Sequence, residues 1–200
     1  MILLPNGDNM ASEIDEFIKT AKSVLTKREE FWRRHSDKEY GELLKYLLIL
    51  SIFPAIGTLL LFSVMGVAVP FFGMMRFSPF YGVQMAIYAY ITSVIGPFIA
   101  GFIMSILSEA LKYGGNMLKY SNLVVYSVTP FLLAQIIMFI PFLGGLIVFL
   151  GAIFSLYLLW LGLKEYMKLS SDKALILLVI YLIVIFLIRF AVRTTGYWMM

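Results

Sequence analysis

LVVYSVTPFLLAQIIMFIPFLGGLIVFLGAIFSLYLLWLGL, residues 123–163, contains no Asp, Glu, Lys, Arg or His. A helix needs about 20 apolar residues to cross a bilayer, and this stretch is long enough to do so twice. One place interrupts it: Ile140-Pro141-Phe142-Leu143-Gly144-Gly145, where proline and glycine permit a turn. The stretch therefore reads as two segments, 123–142 and 143–163, with no polar loop between them. Hydrocarbon offers backbone groups no partners, so the turn either reaches the headgroups or is buried against protein. Both arrangements return the chain to the side it came from.

Outward from this pair lie three more apolar runs, 43–66, 83–107 and 174–192. Hydrophobic residues make up 61% of the 200 and charged residues 14%, against about 45–50% and about 25% in soluble domains. That balance leaves too little polar surface for a soluble globule and excludes a disordered or nucleic-acid-binding chain. The fold class is all-α, a polytopic integral membrane bundle of five transmembrane helices preceded by a cytoplasmic amphipathic helical lead. Residues 1–42 form the lead and 43–200 the five-span domain. The lead carries dense charge before the first long apolar run, so no cleavable signal is expected at its start.

Within the lead, Ile14, Phe17, Ile18, Ala21, Val24 and Leu25 recur at helical spacing, and Phe31 and Trp32 roughly continue the stripe. Ser12 before Glu13 and Asp15 suggests a helix start, and Thr26–Glu29 and Ser36–Glu39 fit capping boxes. The spacing predicts two or three short helices jointed near Thr26 and Ser36. They either lie in the headgroup plane or pack on the ends of the spans; the two can hold together. The loop of residues 67–82 is unusually apolar, which fits a segment in the outer interface or a lid on a cavity.

Thirteen of the sixteen basic residues fall on one side of this alternation: those of the lead, Lys45, Lys112, Lys119, Lys164, Lys168 and Lys173. Arg76, Arg189 and Arg193 fall on the other. The positive-inside rule puts the N-terminus in the cytoplasm and the C-terminus outside.

The chemistry-bearing inventory is short. Cysteine is absent, and the one histidine, His35, precedes the apolar runs. Glu29-Glu30-Phe31-Trp32-Arg33-Arg34 fits E-E-x-x-x-R, similar to the first motif of the intramembrane prenyl endopeptidases. That chemistry needs further histidines on other spans, and there are none. Segments 83–107, 123–142 and 143–163 hold no ionisable Asp, Glu, Lys or Arg, which disfavours ion-coupled transport. No catalytic, cofactor-binding or metal-binding residues are assigned, no cofactor is expected, and the chain does not read as an enzyme. Pro54, Pro97 and Pro130 interrupt spans and free the carbonyls of Leu50, Ser93 and Tyr126, with Ser51, Ser93, Ser127 and Thr129 near enough to compensate. With Gln135, mid-way along the third span, these prolines are the candidate kink or cavity. Static kinks and hydrogen bonding between helices are the simplest roles.

Tyr126-Ser127-Val128-Thr129-Pro130, the turn at Pro141 and Gly144, and Ser155-Leu156-Tyr157 through Gly162-Leu163-Lys164 recur in an order that resembles the YIP (Ypt/Rab-interacting protein) domain family, particularly its prokaryotic branch. The likeness runs from about residue 20 to 190. It implies five spans and a protein that organises membrane or binds partners, with no catalytic residues. The D-L-Y-G-P motif of the eukaryotic trafficking members is absent, and Rab-GTPase binding is not carried over. The expected role is a non-enzymatic scaffold in the plasma membrane of a prokaryote, with an uncoupled transporter or channel for a small neutral solute as the alternative. Its partners are the lipid bilayer, a protein at the cytoplasmic face and further copies of itself, with no nucleic acid. The candidate interaction surface is Phe17, Phe31, Trp32, Arg33 and Arg34.

Reporter fusions after residues 38 and 200 should report opposite sides of the membrane. Both termini on one side would overturn the five-span topology.

Overall fold

The computed structural model describes the backbone of residues 7–69, 73–75 and 77–197, and side chains over 12–66 and 77–188. Pro70, Phe71, Phe72 and Arg76 lie outside these residues, as do the side chains of Arg189 and Arg193. Five helical stretches are long and apolar enough to cross a membrane: Tyr40–Met65, Pro79–Ala110, Met117–Ile137, Leu143–Glu165 and Ser171–Ile188. The chain is an all-helical, multi-pass membrane bundle but for one small hairpin. In it β1 (Val67–Val69) pairs antiparallel with β2 (Gly73–Met75), Val67 opposite Met75. The hairpin occupies the apolar loop after the first span, where the sequence showed only a loop.

The lead comprises α1 (Gly7–Thr26) and α2 (Arg28–Arg34). The joints fall near Thr26 and Ser36 as the spacing predicts, but neither capping box forms. Lys27 and Glu39 stand at the caps without side-chain bonds, and Thr26 Oγ1 instead donates back to the Lys22 carbonyl at 2.7 Å. α1 also begins before Ser12. Its stripe divides: Phe17, Ala21 and Val24 are buried against the spans, while Ile14 and Ile18 face outward, Ile18 54% exposed. α1 therefore packs on the bundle and keeps a second apolar edge.

The first span is α3 (Tyr40–Leu50) and α4 (Ile52–Leu60), closed by a π-helical turn over Leu61–Met65. The second is α5 (Pro79–Ala110), capped by the Ser78 hydroxyl. The third is α6 (Met117–Ser127), α7 (Thr129–Ala134) and a 3-10 turn Gln135–Ile137. α8 (Leu143–Glu165) and α9 (Ser171–Tyr197) complete the set. Pro54 and Pro130 each sit in the first turn after a break, where a missing N–H costs little. Pro97 leaves α5 continuous, so only two of the three prolines divide a span.

The third span is the hub. Of its most apolar stretch 61% is buried, against 17% in the fifth span, and every residue from Tyr120 to Ser127 is buried. It starts six residues before the apolar run because Tyr120, Ser121 and Asn122 face protein, not lipid. Asn116 Oδ1 caps it, accepting from the Lys119 N–H at 2.9 Å. The turn to α8 satisfies itself: Ile140 N–H donates to Ile137 at 3.1 Å and Gly144 N–H to Ile140 at 2.8 Å. Phe142 stands at its tip in the left-handed region, φ 61°, and is 99% exposed.

At Pro130 the break is completed from outside. The Phe131 N–H donates to Ser155 Oγ on α8 at 3.1 Å, and the Thr129 hydroxyl pairs with Tyr46 Oη at 2.9 Å. The local hydroxyls expected to compensate do not: Ser51 and Ser127 are buried without a hydrogen-bond partner among the described residues.

Gly57 on α4 meets the third span so closely that a Cβ there would lie 1.9 Å from the Gln135 carbonyl oxygen. Gly57→Ala should therefore destabilise the protein by overpacking, about 1–3 kcal/mol. Gly96→Ala, with nothing within 4 Å of the added carbon, should be neutral or gain up to about 1 kcal/mol in helix propensity. Thermal unfolding in detergent separates the two; equal midpoints would refute the close packing.

Candidate functional site

The lead meets the bundle at a junction built on Asn122. Its side chain is fully buried on α6 and pairs with the backbone of the linker between α2 and α3. Asn122 Oδ1 accepts from the Lys38 N–H at 2.9 Å, while Nδ2 donates to the carbonyls of Lys38 and Leu118, each at 2.9 Å. A single amide thus holds both backbone groups of one linker residue, as a neighbouring strand would. These partners also fix which end of the amide is oxygen.

His35 Nε2 lies 3.1 Å from the same Oδ1. That oxygen can only accept, so His35 carries its proton on Nε2. Burial pushes the His35 pKa below its ordinary 6.5, partly opposed by the bond to Asn122 and by Asp37, while Lys38 lowers it further. The ring is packed against Phe31, Trp32, Tyr126 and Tyr166, with centroids 4.9–5.8 Å away. Tyr166 Oη donates to Asp37 Oδ1, and burial, then this carboxylate, raises the phenol's pKa.

Trp32 is 1% exposed and lies against α8 at Gly162. A Cβ on Gly162 would meet Leu123 Cδ1 at 2.3 Å and Trp32 Cε2 at 3.0 Å, so the glycine makes the slot. Beside it Arg33 Nε donates to Glu165 Oε2 at 2.9 Å, and the Glu165 bond and charge raise the Arg33 pKa. Arg28 lies over the rings of Phe154 and Tyr157 at 5.2 and 5.6 Å. Three different contacts therefore seat α2 on α8.

On the other side, α1, the linker, α3 and α6 enclose a cleft of about 190 Å³. Its walls include Phe17, Phe31, Tyr46 and Tyr126, and its rim Glu13, Glu16, Glu42, Lys38 and Lys45. Phe17 stacks toward Tyr46, centroids 5.2 Å apart, and Tyr46 toward Tyr126 at 5.0 Å. Lys45 Nζ contacts Glu13 at 2.9 Å and Lys38 Nζ contacts Glu42 at 3.3 Å.

The five surface residues suggested by the sequence do come together here, but not as one exposed face. Phe17 and Trp32 are buried and Phe31 is half-buried; they hold the lead down. Arg33 and Arg34 remain exposed, paired with Glu165 and Glu29, and with Glu30. The E-E-x-x-x-R stretch is thus a set of pairs one helical turn apart. The other group, Pro54, Pro97, Pro130 and Gln135, lies within the spans, and the Gly57 contact fills the space beside Gln135 with backbone. Asn122, Tyr46 and Tyr166 were missed. An Asn just outside an apolar run gives no sign of burial, although Tyr126 and Gly162 fell within the motifs that carried the resemblance.

Among the described residues no group of three or more His, Cys, Asp or Glu side chains could hold a metal ion.

Because the folded pKa of His35 lies below the unfolded value, the unfolded chain binds the extra proton first as pH falls. The neutral ring's contribution is full above pH 6.5 and is lost below it. The lead should therefore loosen on acidification through that range, measured as faster proteolysis within the 35–39 linker, and His35→Phe should flatten the dependence. Asn122→Leu should expose the linker at every pH, since each orphaned buried group costs about 1–3 kcal/mol. Cleavage of Asn122→Leu at the parent rate would refute the clamp.

Comparison with known proteins gives one family. The Yip1 domain model matches residues 22–192, from the last turns of α1 through the fifth span, and so includes Asn122, Trp32 and the Gly162 slot. No curated protein and no solved structure matches the chain. With nearly the whole chain inside one match, and five membrane-length helices in the fold, this multi-pass membrane protein belongs to the Yip1 domain family.

Proposed function

We propose that this chain is a non-enzymatic scaffold that organises membrane or binds a partner through the side bearing its lead. The observation that carries the reading is the seat of α2: Trp32 in the Gly162 slot, Arg33 on Glu165 and Arg28 over two rings. Two short helices are held at a set position on a five-span bundle, and the charged surface of α2 is turned outward. That surface offers Arg34, Glu29, Glu30 and Lys27 with the edge of Phe31. Phe17 and Trp32 act beneath it as anchors.

The excess of basic residues on this side supports a cytoplasmic lead and an outer C-terminus; this reading puts the bundle in the plasma membrane of a prokaryote. The 1–42 lead and the 43–200 bundle act together in this reading, one presenting and the other placing. Further copies of the chain are compatible with the exposed apolar faces of α5 and α9.

Arg34→Glu with Glu30→Lys keeps the pair one turn apart but reverses its field. Such exposed changes cost little stability, within about 0.5 kcal/mol. The double variant should lose site-specific cross-linking of a partner at position 34 while its unfolding midpoint stays put. Saturable movement of a neutral solute across liposomes, equal in parent and variant, would replace this reading with that of an uncoupled transporter working through Pro54, Pro97, Pro130 and Gln135.

A further inference from the structure

The cleft between α1 and the first and third spans has a composition that the scaffold reading does not use. Its rim carries three carboxylates against two ammonium groups. Two of the carboxylates are engaged, Glu13 by Lys45 and Glu42 by Lys38. Glu16 has no ion-pair partner among the described residues. With His35 neutral, the cleft holds an excess of one negative charge.

Its wall also offers an uncommitted hydroxyl. Tyr126 is 4% exposed and lines the cleft, yet its hydroxyl has no hydrogen-bond partner among the described residues. The neighbouring Tyr46 hydroxyl, by contrast, is engaged by Thr129. The Tyr126 oxygen is reached from the cleft and is free to accept from a donor bound there. Aromatic rings beside an unpaired carboxylate attract a cation, which gains from the ring quadrupole where water is excluded. Glu16 shares the field of Lys45, whose pKa it helps to raise, yet a ligand of net negative charge would still face the rim's excess carboxylate and is disfavoured.

Geometry adds the last restriction. A metal ion would need converging oxygen ligands, and no such group occurs among the described residues. An alkylammonium instead carries its charge on a compact N–H group, its carbon atoms can lie against the rings, and Glu16 and Tyr126 both offer acceptors for the N–H donors. The cleft also opens at the first turns of the first span, Glu42 and Lys45, the depth at which lipid headgroups lie.

We propose that this cleft binds a primary ammonium group, of the kind carried by an ethanolamine lipid headgroup or a free alkylamine, with Glu16 as its counter-charge and the Tyr126 hydroxyl as a hydrogen-bond acceptor. Phe17, Phe31 and Tyr46 supply the apolar and ring surface around its carbon atoms. This site lies on the opposite side of the linker from the α2–α8 seat and does not depend on any protein partner.

The test uses the full chain in neutral detergent, with its unfolding midpoint followed during titration. Dihexanoyl-phosphatidylethanolamine should raise the midpoint saturably, and dihexanoyl-phosphatidylcholine, which has no N–H, should bind at least tenfold more weakly. Free ethanolamine is the arm that separates the sources. Equal binding assigns the site to soluble amines, and binding of the lipid alone assigns it to the headgroup. Glu16→Gln should weaken binding at least tenfold, and Tyr126→Phe, which keeps the ring and removes only an unpartnered hydroxyl, should weaken it severalfold. Glu30→Gln, outside the cleft, should bind as the parent does. No saturable shift with either amine, equal binding of the choline lipid, or an unaffected Glu16→Gln would each overturn the proposal.

Discussion

A buried amide holding one linker residue by both its backbone groups is the constraint on which the arrangement of the lead depends. Without Asn122, the N–H and carbonyl of Lys38 would lose their partners at a half-buried position. Burial of unpaired backbone is costly, so the linker would leave that position and α2 would leave with it. Trp32 could not then reach its slot, nor His35 its ring neighbours. The clamp is polar because its target is backbone, and it is buried because the contact must exclude water to be worth more than the solvent bonds it replaces.

Around this clamp the chain uses small residues and rings in complementary ways. Gly162 and Gly57 give up side chains so that an indole and a carbonyl can approach. The ladder running from Phe53 through Phe17, Tyr46 and Tyr126 to His35 and Tyr166 then joins α1, both halves of the first span and α6 in one continuous set of contacts. The charged pairs lie outside it. Those of α2 and the start of α3 are mostly exposed and add little stability; they decide what the surface presents. The interior of the junction is thus mainly apolar and aromatic, with a few directed polar bonds and the Trp32 Nε1 buried without a partner among the described residues.

The number of spans was legible from apolar length alone, because lipid imposes that length directly. Their ends were not. Tyr120, Ser121 and Asn122 are polar enough to end an apolar run, yet they extend the third helix, since what they face is α5 and the linker. Capping patterns misled in the lead for a similar reason. Thr26 and Ser36 could cap in isolation, but the joint geometry is set by Trp32 and Asn122, residues distant in sequence from their partners. Among the prolines, a serine three residues earlier marks Pro54 and Pro130 but not Pro97. At Pro130 the break also draws on Ser155, which accepts the stranded Phe131 N–H from another helix. The motif residues Tyr126, Ser155 and Gly162 marked the right neighbourhood, and the structure gives each a mechanical task.

The dependence of the third span on its successor bears on how the chain enters the membrane. α6 and α7 together bring Thr129 and an open N–H into the bilayer, and on their own they would present these groups to lipid at several kilocalories per mole for each unsatisfied group. The partner for that N–H arrives only with α8, about one span later in synthesis. The tight, self-satisfied turn at Phe142 allows α8 to fold back at once. The two segments are therefore suited to leave the insertion machinery as a pair, with the exposed Phe142 ring as the leading edge.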